Sequence, residues 1–189
     1  MTLTMALALP LAHLAGADLG PWWAGMAQLF LEPTTLLLVI GLVLLGLQST
    51  RPRSDRLLLV LPLAWLLGAL IGLSLQSELL WQVPCTALVA VVGLLVALQV
   101  RLGPRVLLAL AALLTLLFAL VAGASLAGHA GAVVALLGET VSLALVSSSL
   151  YTLLEPPHPR WRAIGLRVAG SWITASSLLM LGWLARHPQ

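Results

Sequence analysis

A chain of 189 residues with 61% hydrophobic and 8% charged side chains has too little charge to coat a water-soluble globule, which carries roughly 25% charged residues. The net charge of +3 comes from nine Arg and no Lys, and the Arg gather in short connections between apolar blocks, which excludes a nucleic-acid reading and points to an orientation signal for a membrane protein. The single cysteine, Cys85, excludes an intramolecular disulfide and a Cys-cluster metal site, and reads as a small buried hydrophobe.

The apolar residues come in solid blocks of Leu, Ala and Val, and blocks of about 20 such residues span the hydrocarbon core as helices. A membrane β-barrel would instead alternate apolar and polar positions in segments of about ten residues. The expected fold is therefore all-α, a polytopic transmembrane bundle with about six spans. Residues 1–25 form a short N-terminal hydrophobic segment containing Pro10. It reads either as signal-like, with Ala15-Gly16-Ala17 as a cleavage site, or as an interfacial or re-entrant piece. Residues 26–189 form the six-helix domain, with spans at 26–47, 57–75, 83–100, 106–126, 132–154 and 164–184.

The connections alternate in charge. The first (Arg51, Arg53, Arg56), third (Arg101, Arg105) and fifth (Arg160, Arg162) carry Arg; the second and fourth carry none. The positive-inside rule then puts the odd connections in the cytoplasm and both termini outside. The expected location is an inner membrane of bacterial type. Trp22, Trp23, Trp81, Trp161 and Trp183 fall near helix ends, where indole anchors at the headgroup level. Trp65 and Trp172 lie deeper and are expected between helices.

Pairs of small residues at four-residue spacing mark close helix packing: Gly68 with Gly72, Gly138 with Ser142, and Gly170 with Thr174, with Ser171 beside the last pair. Glu139 stands out inside the fifth apolar block. A carboxylate at the bilayer centre costs about 2.5–3.5 kcal/mol on insertion scales, so Glu139 should face the bundle interior. There it is either a cation or proton site or a neutral acid hydrogen-bonded to a neighbouring helix. Ser142 and Ser149 are expected on roughly the same face, with Ser147, Ser148 and Tyr151 adding polarity. No second intramembrane acid stands out as its partner.

A second polar cluster, Gln28, Glu32, Pro33, Thr34 and Thr35, lies at the start of the first span. It could line an entry path. The plainer reading makes Glu32 an acid at a helix start and Pro33 a first-turn residue. His13, His129, His158 and His187 are scattered without ligand spacing. No phosphate loop, nucleophile elbow or H-E-x-x-H motif is present, so no enzyme activity and no cofactor are expected.

Two stretches resemble a known family. Leu166-Arg167-Val168-Ala169-Gly170-Ser171-Trp172, running on to Gly182-Trp183, and Gly138-Glu139-Thr140-Val141-Ser142 in the fifth span are similar to the last helix and the Glu-bearing helix of the HupE/UreJ family. These are small multi-pass hydrogenase and urease accessory proteins linked to nickel uptake. The family's first helix carries a His and, about two turns later, an Asp-His pair. The matching positions here hold Gln28, Thr34 and Thr35, which are weak neutral ligands for a nickel-like ion. The resemblance implies a permease-like protein passing a small cation or proton, with its metal ligands replaced and its metal unknown. The alternative is a non-catalytic accessory or scaffolding subunit of a larger membrane complex. The expected partners are the lipid bilayer and either other membrane subunits or a homo-oligomer.

Overall fold

The computed structural model describes residues 20–48, 54–75, 82–154 and 159–186. Among them the chain is entirely helical: α1 (Gly20–Leu31), α2 (Pro33–Gln48), α3 (Ser54–Leu75), α4 (Gln82–Ala97), α5 (Pro104–Ser125), α6 (Ala132–Leu153) and α7 (Pro159–Arg186). Four of these helices, α3, α5, α6 and α7, are each long and apolar enough to cross a bilayer, and α1 with α2 would make a fifth crossing as one bent pair. The chain is an apolar helical bundle of membrane type. The reading of residues 1–19 as a leader or interfacial piece lies outside the described residues, as do His13, Trp81, His158 and His187.

The first span differs most from expectation. Instead of one helix over 26–47, the chain forms α1 and α2, bent by 72°, and α1 already begins at Gly20. Pro33 causes the break, because its ring nitrogen cannot donate to the carbonyl of Leu29.

The second half of this pair, α2, is the axis of the bundle. It touches each of the other six helices, and Leu38, Val39 and every residue from Gly41 to Leu47 are buried. Around it the other helices form three pairs, each closed by glycine. A side chain at Gly68 would run into Leu116 and Ala119, and one at Gly72 into Leu120 and Ala124, so α3 lies backbone-to-backbone on α5. The two registers advance together, which makes α3 and α5 parallel. Gly93 abuts Ile173 and Thr174, while Gly170 abuts Ala97, so α4 and α7 are antiparallel. The third pair, α1 with α6, closes at Gly25 against Ala135 and at Gly138 against Trp22.

Two glutamines tie the opposite end of the bundle. Gln48 Nε2 donates to the Val96 carbonyl at 2.8 Å, and Gln99 Nε2 donates to the Ala163 carbonyl at 2.8 Å. Gln99 ends α4 in the left-handed region (φ 54°). Its amide bonds Val96 and that of Val100 bonds Leu95, the pairing that closes a Schellman cap.

Outward faces are apolar: Leu59, Leu63 and Leu67 on α3, and Leu178 and Leu179 on α7, are all exposed, as suits side chains solvated by lipid. Trp65 is fully buried, whereas Trp172 is 72% exposed and faces out of the bundle, contrary to the expected packing between helices. Trp23 and Trp183 are also exposed.

Candidate functional site

The break at Pro33 creates the site. The Glu32 amide donates to the Gln28 carbonyl at 3.0 Å and closes α1; the Glu32 carbonyl accepts from the Leu36 amide at 3.1 Å and opens α2. Glu32 is thus the last link of one ladder and the first of the next. Its half-buried side chain occupies the corner, with the buried Thr35 hydroxyl as its side-chain hydrogen-bond partner.

A second acid lies within electrostatic range of Glu32. Gly138 lets α6 approach α1 at Trp22 and Met26, and the neighbouring Glu139 is buried in the bundle. Glu139 is 1% exposed, its Oε1 has no hydrogen-bond partner, and it interacts electrostatically with Glu32. The buried hydroxyls of Ser147 on α6 and Ser177 on α7, by contrast, each donate to a carbonyl of their own helix. Glu139 is therefore a buried acid with unused bonding capacity, the kind of exception that calls for a ligand, a proton or a water to account for it.

Beside Glu32 opens a cavity of about 570 Å³. Thr34 of α2 and Cys85 and Thr86 of α4 form its polar side; Phe118, Val121, Leu179 and Trp183 form its apolar wall. Cys85 also lies within electrostatic range of Glu32. The lining comes from the start of α4 and the ends of α5 and α7, so the cavity belongs to the end of the bundle where the Arg-free connections lie. Among the described residues no group of three His, Cys, Asp or Glu side chains is arranged to hold a metal ion.

No family model matches the chain, and no curated protein or solved structure matches it.

The polar residues singled out from sequence are placed differently by the structure. Glu32 and Thr34 line the cavity, whereas Thr35, Glu139 and, one turn further along α6, Ser142 are buried without lining it. Gln28 is exposed and does not line the cavity. Ser149 is likewise exposed; ten residues beyond Glu139 the helical repeat has carried it well off the inner face. Ser171 points outward and donates to the Val168 carbonyl at 2.8 Å, so it takes no part in helix packing. Thr174 does pack, against Gly93, with its hydroxyl satisfied by the Gly170 carbonyl at 2.9 Å.

Sequence reasoning missed Cys85 and Thr86 as lining residues and missed Glu32 as the partner of Glu139. The signal available for the first two was a Cys-Thr pair at the start of a helix, which no periodicity distinguishes from ordinary packing. For Glu32 the signal was the Glu-Pro dipeptide at membrane depth, which fits a helix start equally well.

Proposed function

We propose that this chain is a transport-type membrane protein of the HupE/UreJ kind that passes a proton or small cation through the corner where α1, α2 and α6 meet. The observation that carries this reading is the buried Glu139, whose Oε1 has no hydrogen-bond partner, inside an apolar bundle and within electrostatic range of Glu32 at a helix break. Intramembrane acids are rare and mark ion paths and proton relays. Two of them near one another resist joint ionisation unless a cation or proton joins them. Discontinuous helices are the usual means by which transporters build such sites at membrane depth. With neutral Thr34 and Thr35 in place of the family's ligands, and no three-ligand group among the described residues, the site suits a proton or monovalent cation better than a nickel-like ion.

The reading takes six crossings in an inner membrane, with α1 and α2 together as the first. The 16 residues of α4 extend only roughly 24 Å, short of the ~30 Å core. The parallel register of α3 and α5 nevertheless supports a crossing, since a segment that returned to its own side would leave those two helices antiparallel. Arg56, Arg101 and Arg105 are exposed at the ends of α3, α4 and α5 that the odd connections join, which supports a cytoplasmic assignment for that side and external termini.

Proteoliposomes loaded with a pH-sensitive dye test the function. The wild-type chain should carry a proton or cation flux under an imposed gradient, and Glu139→Gln should lower it about tenfold or more, in line with the usual share of a positioned proton-transfer group. Undiminished flux in that variant removes the role. The accessory-subunit reading is favoured by one feature of α7: only 17% of its membrane-crossing stretch is buried, leaving a long face open to another subunit. Mass spectrometry of the complex in mild detergent separates the two, since an accessory subunit should retain stoichiometric companions.

A further inference from the structure

We infer that the cavity beside Glu32 binds an organic monocation, its charged centre against the Glu32 carboxylate and its apolar body along Phe118, Leu179 and Trp183. This deepens the reading above and rests on it, since it assumes that the corner handles a cation. A proton needs no cavity, whereas about 570 Å³ falls in the ~300–1,000 Å³ range of pockets that enclose small molecules.

The chemistry of the walls narrows the class. Among the described residues Glu32 is the one charged side chain in the lining, and Glu139 is within electrostatic range of it, so the local field repels anions. A bare divalent ion finds no third ligand among the described residues, and the largely apolar wall gives it no way to replace its hydration shell. A cation that carries its own apolar shell meets neither obstacle. Its charge is met by a carboxylate, and two aromatic residues, Phe118 and Trp183, line the same cavity; aromatic rings attract cations through their quadrupoles. The rim is reachable, for Trp183 is 56% and Leu179 77% exposed. Both lie near the end of α7, where a lipophilic cation partitioned at the membrane edge would arrive.

Equilibrium binding of radiolabelled tetraphenylphosphonium to the purified full chain in detergent tests this. Wild type should bind it saturably, Glu32→Asp should keep that binding, and Glu32→Gln should weaken it about tenfold or more. Tetraphenylborate, of the same shape and opposite charge, should not compete. Trp183→Ala, a rim substitution that leaves the core intact, should weaken binding severalfold and serves if Glu32→Gln fails to fold. Absence of saturable binding to wild type, equal binding by folded Glu32→Gln, or displacement by tetraphenylborate would overturn the inference. Proton flux measured in parallel keeps the two claims apart: Glu139-dependent flux without tetraphenylphosphonium binding removes the organic cation and leaves the transport reading standing.

Discussion

Glu32, at the break between α1 and α2, and Glu139, on the buried face of α6, lie within electrostatic reach of one another although most of the chain separates them in sequence. Neither is placed by its own helix alone. Pro33 ends α1 and gives Glu32 its corner, while Gly25 and Gly138 let α6 pack on α1, with Glu139 buried beside that contact.

The glycine contact between α1 and α6 should therefore be sensitive to any side chain. Gly138→Leu should lower stability by roughly 1–3 kcal/mol through overpacking, measured by thermal unfolding in detergent. Gly165, with nothing within 4 Å of its would-be Cβ, is the control. Gly165→Ala should be neutral or stabilising by up to about 1 kcal/mol from helix propensity alone.

Gln99 should respond differently to alanine and glycine. Gln99→Ala loses the bond to the Ala163 carbonyl and keeps the left-handed backbone. Gln99→Gly loses the same bond but relieves about 1–2 kcal/mol of backbone strain. The glycine variant should melt higher than the alanine variant, and the reverse order would show that the cap geometry contributes little.

The two deep tryptophans should separate cleanly. Trp65→Ala removes a fully buried indole and should cost about 3–5 kcal/mol. Trp172→Ala removes one that faces lipid and should change stability by about 0.5 kcal/mol or less. Denaturant titration in mixed micelles reads both.

Helix-forming blocks were legible in the sequence because solid runs of Leu, Ala and Val leave few alternatives. The expected spans over 106–126 and 132–154 coincide with α5 and α6 to within two residues at each end. The broken first span was not legible in the same way. Apolar content says that residues 26–47 can enter a bilayer, but the same Glu-Pro pair fits a helix start or a bend. Glu139 announced itself as a buried acid because its cost is local. Its partnership with Glu32 depends on how distant segments pack, and no periodicity within either helix encodes that. The outward turn of Gln28 and the exposure of Trp172 have the same origin: a residue's depth along a helix is written in its position, its facing is not.

The central claim is that Glu32 and Glu139 act as one charge-handling unit. A double-mutant cycle on proton flux in proteoliposomes, using Glu32→Gln, Glu139→Gln and the pair, measures it most directly. Shared function predicts that each single variant loses most of the flux and that the double variant loses little more, because the second change removes a group that has already lost its partner. Independent, multiplicative losses, or a full flux in either single variant, would contradict the account.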